Sequence, residues 1–177
     1  DVDEYKIIPS GLIAENGNYV ITYQPGKLTV SQAKPEFELR NLDQLNRVYD
    51  AKNTAPEAWT DSDGNMTVTI KKGSEILTEA PMNAGTYTVE VHTEAGKNYE
   101  AGSQTFSFEI KKAPLSVKAV EQNVTVEDAI PEYKVLYEGF AGTDTADVLN
   151  GSLQFTCEYA PDSAAGDYVI QPSGLTS

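Results

Sequence analysis

Cysteine, histidine and tryptophan each occur once in these 177 residues, and 13 basic residues face 27 acidic ones. A single cysteine, Cys157, excludes any disulfide framework within the chain. A single histidine, His92, falls on the polar side of an alternating segment without partner ligands, so neither a metal site nor a catalytic triad forms around it. The formal charge of −14 argues against nucleic acid and against an anionic membrane, because both need a basic face. The acidity reads instead as solubility and repulsion between neighbouring molecules. No run approaches the roughly 18 apolar residues of a membrane span, and no charged-then-apolar leader opens the chain. Helical periodicity is nearly absent.

What is present is repetition. Tyr-x-Ile-x-Pro-Ser-Gly-Leu occurs at 5–12 and again at 168–175. A second register aligns Asn83-Ala84-Gly85-Thr86-Tyr87-Thr88-Val89 with Ala164-Ala165-Gly166-Asp167-Tyr168-Val169-Ile170. Asn18-Tyr19 is answered by Asn98-Tyr99, and Leu28-Thr29-Val30 with Ala33 by Phe108-Glu109-Ile110 with Ala113-Pro114. Fixed periods of this kind mark tandem arrays. Three pieces follow: 1–33 as the closing strands of a preceding repeat, 34–113 as a whole repeat, and 114–177 as a repeat lacking its final strands.

Period-two alternation carries the secondary structure. Tyr87, Val89 and Val91 alternate with Thr88, Glu90 and His92, and Met66-Thr67-Val68-Thr69-Ile70 repeats the pattern. Turn chemistry at Asp63-Gly64-Asn65, Lys72-Gly73-Ser74 and Pro25-Gly26-Lys27 separates the strands. The middle piece should hold seven strands, at 36–41, 46–50, 57–60, 66–71, 75–79, 86–93 and 104–111. That count fits an all-β, Ig-like β-sandwich with a core of Val48, Trp59, Val68, Ile70, Val89, Val91, Phe106 and Phe108. The last piece should run 114–126, 132–139, a helix of one or two turns capped by Thr143 or Asp144 and stopped at Gly151, then 152–159 and 166–172. This is the order of an incomplete β-grasp-like module with one short helix; a second sandwich is the alternative.

Candidate chemistry is sparse. Asp61-Ser62-Asp63-Gly64-Asn65 resembles a calcium loop, but an EF-hand counted from Asp61 needs Gly where Met66 stands and Glu where Lys72 stands. A hairpin turn is the better reading. Cys157 shares strand parity with Leu153, Phe155 and Tyr159, as a small buried apolar residue would. No acidic pair is flanked by the aromatic and glycine cluster of a sugar-cleaving site. A Lys–Asn–Asp isopeptide triad cannot be placed from sequence. Tyr87, Tyr99 and Tyr168 recur with core parity and read as packing residues with the hydroxyl at the rim. Trp59, Tyr133, Tyr137 and Tyr159 are the aromatics to test as a ligand platform. No catalytic residue, metal or cofactor is implied.

These phrases resemble the MBG-type repeats of bacterial cell-surface adhesins, with an Ig-like or YDG-type repeat between them. The matching residues are Gly139-Phe140, Asp144-Thr145-Ala146, Val148-Leu149, then 163–170 and Pro172-Ser173-Gly174-Leu175. Residues 18–30 look like the same family's closing hairpin. Val48-Tyr49-Asp50-Ala51-Lys52 and 80–87 are similar to YDG-type repeats. Residues 122–127 depart from the pattern, lacking a Tyr-Gly pair that such repeats often carry. The resemblance implies an extracellular location, secreted or on the bacterial surface, and a non-enzymatic spacer and display role. The alternatives are a glycan- or mucin-binding module using exposed aromatics, and an accessory domain of a surface enzyme. Because 114–177 should want closing strands and 13–33 should carry them, strand complementation between neighbouring molecules is the expected self-association. A glycan or other host surface ligand is the second expected partner.

Overall fold

A computed structural model describes residues 1–177. In chain order the elements are β1 (Asp3–Ile7), β2 (Gly26–Val30), β3 (Phe37–Leu39), the one-turn helix α1 (Leu42–Leu45), β4 (Arg47–Val48) and β5 (Ala58–Thr60). Next come β6 (Met66–Lys72), β7 (Glu75–Leu77), β8 (Gly85–Thr93) and β9 (Gly102–Lys111). The chain closes with β10 (Ser116–Ala119), β11 (Val135–Glu138), a 3-10 turn (Ala146–Val148), β12 (Asn150–Thr156) and β13 (Gln171–Thr176). The fold is all-β with several small sheets, and it divides into two compact units. The first comprises Asp1–Leu45, Ala55–Ala80 and Thr86–Phe108; the second comprises Asn46–Thr54, Pro81–Gly85 and Glu109–Ser177.

The first unit holds the best-packed core. β9, β8, β6 and β7 lie side by side in that order, and β3 pairs with β5 in a separate small sheet. Alternation places Tyr87, Val89, Val91 and Thr93 of β8 inward, all buried, and Phe108 joins them from β9. The Tyr87 and Phe108 rings stack with centroids 5.3 Å apart. Leu39 and Leu45 are also buried. Asn41, buried between them in sequence, donates from Nδ2 to the Ala55 carbonyl at 2.8 Å and accepts the Glu57 N–H at 2.9 Å. Those two bonds satisfy the buried amide and fix the chain entering β5. Short α1 escaped the sequence reading; Asn41 and the Leu42/Leu45 spacing were its only signal.

Two expected core residues are not core. Val68 is 41% exposed because β7 covers β6 only from Ile70 to Lys72, leaving Met66–Val68 at an open edge. Val48 is 48% exposed. Its two-residue strand instead turns in Arg47, whose guanidinium meets Asp50 at 3.1 Å and the Lys52 carbonyl at 2.6 Å. Trp59, Ile70 and Phe106 are half-buried.

The N-terminal ribbon differs from the expected hairpin. Residues 18–23 form no strand, and β2 pairs antiparallel with β1 instead, with Tyr5 opposite Leu28 and Ile7 opposite Gly26. Tyr23 uses its hydroxyl to accept the Leu12 N–H and donate to the Leu12 carbonyl, a local clasp that replaces a ladder. Every residue of β1 and β2 is exposed. Asp1 meets Lys97 and the Val2 N–H meets Asn98, and Ala33 bridges Tyr99, so the segment is held within the first unit.

In the second unit β4 runs parallel to the end of β9, Arg47 opposite Ile110. β10 pairs with β11, and β12 with β13, both antiparallel. Expected boundaries shift here. The first strand stops at Ala119 rather than 126, because Glu121, Gln122 and Asn123 turn polar and Gln122 donates to the Glu132 carbonyl at 2.8 Å. The helix shrinks to a single 3-10 turn, capped by Thr145 rather than Thr143 or Asp144. Asp144 instead accepts from the Tyr49 hydroxyl at 2.9 Å. The expected strand at 166–172 moves to Gln171–Thr176, where β12 supplies a partner; Tyr168 and Ile170 alternate correctly but pair with nothing. No residue of 114–177 is buried.

Candidate binding groove

The inward side of β12 continues past its end, so Leu153, Phe155, Cys157 and Tyr159 form one half-buried row. Tyr133, two residues before β11, leans on that row with its ring 5.6 Å from Phe155. Between this row and 119–124 opens a groove of about 420 Å³, walled by Val120, Val124, Tyr133, Cys157, Tyr159 and Ile170. Tyr168 closes one side, its ring edge-on to Tyr159 at 5.6 Å.

Each tyrosine hydroxyl here already has work to do. Tyr159 donates to the Asp128 carbonyl at 2.8 Å, and Tyr168 to the Ala164 carbonyl at 2.7 Å. A hydrogen bond with Cys157, reinforced by burial, raises the Tyr133 phenol above its ordinary value. Desolvation, then the Asp128 charge, raises Tyr159 likewise. Both groups are therefore neutral at physiological pH, and neither is activated as an acid or nucleophile. The loop that Tyr159 grips is tied by Asp128, which accepts from the Thr125 N–H and hydroxyl, each at 2.6 Å. Glu127 sits in that loop with φ +74°.

The four sequence-nominated aromatics do not form one platform. Tyr133 and Tyr159 line the groove together. Tyr137 does not line it and packs on Phe140, 5.6 Å between ring centres. Trp59 belongs to the first unit, opposite Glu38 in the β3–β5 pair and under the Arg40 guanidinium at 4.9 Å. Cys157 lines the groove half-buried rather than sealed in a core. The groove residues the sequence reading missed as a set are Val120, Val124, Tyr168 and Ile170. The last two were marked by membership in the repeated phrase.

At the calcium-like turn, the Asp63 carboxylate accepts the Asn98 backbone N–H and side-chain amide, each at 3.0 Å. It thereby closes the turn against 94–98.

Comparison with known families now places the chain. Residues 115–177 match the MBG domain (YGX type), and residues 41–114 match the MBG domain. The chain belongs to the MBG domain family and carries two such domains in tandem. Neither a curated protein nor a solved structure matches it.

Proposed function

We infer that this chain is a non-enzymatic spacer and display segment of a secreted or cell-wall-attached bacterial adhesin-like protein. Tandem MBG domains support this reading, since such domains typically recur as repeats in surface proteins. The observation that carries it is the state of the aromatics. The rings in the groove pack on one another; the Tyr159 and Tyr168 hydroxyls are spent on neighbouring carbonyls, and that of Tyr133 on Cys157. A net charge of −14 keeps successive modules from adhering to one another by bulk attraction.

Exchanging 41–177 in the parent protein for an unrelated β-repeat of similar length tests it. Surface adhesion should survive the exchange and fall when the segment is deleted outright. Loss of adhesion on exchange would show that the segment itself holds the ligand. A glycan- or mucin-binding role is the rival reading, and the Tyr133–Tyr159 groove is the observation that favours it.

A further inference from the structure

The repeated phrase keeps different strand partners in its two positions. At 5–12 its first half lies in β1 and pairs with β2, Tyr5 opposite Leu28. At 168–175 its second half lies in β13 and pairs with β12. The missing halves are both open. Gly174 lies so close to the Ser152 carbonyl that a Cβ would sit 2.3 Å from it, whereas at Gly11 nothing lies within 4 Å. Residues 166–170 lie outside every strand, and Val169 is 78% exposed. Each position therefore shows one half of a three-strand arrangement: a β12-like strand, the phrase, and a β2-like strand.

We propose that β2 of a second copy of this chain adds to residues 166–170, seating its apolar side in the Tyr133–Tyr159 groove. The register is the one seen with β1, which sets Leu28 opposite Tyr168, Gly26 opposite Ile170 and Thr29 opposite Asp167. Residues directly opposite share a sheet face. Leu28 and Val30 therefore point to the side of Tyr168 and Ile170, the half-buried residues of a segment that borders the groove, while Asp167 and Val169 are exposed. Both are exposed in the ribbon, at 52% and 37%.

Local charge pairing favours the exchange. In the ribbon Lys27 pairs with Glu4 but also stands directly opposite Lys6. At the second position Asp167 replaces Glu4, keeping the attraction, and Val169 replaces Lys6, removing the repulsion. The resident pairing is also easily given up, because a two-stranded ribbon exposed on both faces is marginal in water. The connection 8–25 can reach roughly 60 Å when extended, enough to carry β2 to a neighbour.

Disulfide trapping tests the exchange in a Cys157→Ser background. Chains carrying Thr29→Cys are mixed with chains carrying Asp167→Cys and oxidised. A covalent heterodimer should form, and moving the first cysteine to Ser31 should cut its yield at least about tenfold through misregister. Wild-type chain should also show a concentration-dependent monomer–dimer equilibrium by light scattering. Leu28→Asp, at an exposed position, should weaken that equilibrium at least about tenfold by removing an apolar anchor. The proposal is overturned if no heterodimer forms while Glu4→Cys/Thr29→Cys closes its own disulfide. It is equally overturned if Thr29→Cys/Asp167→Cys closes only within one chain, or if the dimer ignores Leu28→Asp.

Discussion

Gly11 and Gly174 occupy the same place in the two occurrences of the phrase and hold the same backbone conformation, φ +90° and +88°. Only Gly174 has a strand beside it. The conformation therefore belongs to Pro-Ser-Gly-Leu itself, and pairing with β12 uses a shape the phrase already has. L side chains adopt this region at a cost of about 1–2 kcal/mol. Gly174→Ala adds a clash with the Ser152 carbonyl to that cost. Amide exchange in β12 and β13 should accelerate strongly in Gly174→Ala, while Gly11→Ala leaves those amides unchanged. Equal protection in both variants would contradict the account.

Asn41 is the polar pin of the first unit. Asn41→Ala removes the bonds to the Ala55 carbonyl and the Glu57 N–H, both on exposed residues that water can reach, which should cost about 1–2 kcal/mol. Trp59 is the sole tryptophan and lies two residues past Glu57, so its fluorescence during urea unfolding reads this loss directly. A shift under about 0.5 kcal/mol, the size of an ordinary surface change, would show that the bonds are dispensable.

Glu127 holds φ +74° in the 124–128 loop, within the stretch lacking the Tyr-Gly pair often found in such repeats. A side chain there is strained, most of all a β-branched one. Glu127→Gly should leave thermal stability of the second unit equal or slightly higher. Glu127→Val should lower it by about 1–2 kcal/mol. The reverse order in a thermal melt would mean that the loop is not held left-handed.

Glu90 and Asp128 contribute to the response to acid. A hydrogen bond from Lys71 at 2.7 Å, then its charge, holds Glu90 below the ordinary carboxylate value. The hydroxyl and N–H of Thr125 do the same for Asp128. A depressed folded value adds stability above the unfolded one, and that stability fades as pH falls through the carboxylate range, below about 4. Glu90→Gln should therefore lower the first unit's stability slightly at neutral pH, leave it unchanged once the carboxylate is protonated, and so flatten the acid limb. The change is small, since both side chains of the pair are partly exposed. An acid limb left as steep as before would refute the assignment.

Strand positions in the middle module were legible because Tyr87, Val89 and Val91 alternate against Thr88, Glu90 and His92, and burial follows that parity. Val48 and Val68 misled because alternation reports a face but not whether a neighbouring strand covers it. The same limit hid the groove. Tyr133, Cys157 and Tyr159 each carry inward parity, yet nothing local says that the space between them stays open. In Tyr168 and Ile170 the pattern is that of a strand, but a strand needs a partner, and β12 pairs farther along.

The central claim, that these MBG domains space and display rather than bind, is tested most directly by a glycan and mucin array probed with the 177-residue chain and with Tyr133→Ala/Tyr159→Ala. The account predicts that neither protein is retained above a charge-matched control domain. Saturable retention of the wild-type chain on one glycan class, lost in the double variant, would contradict it and make the groove a binding site.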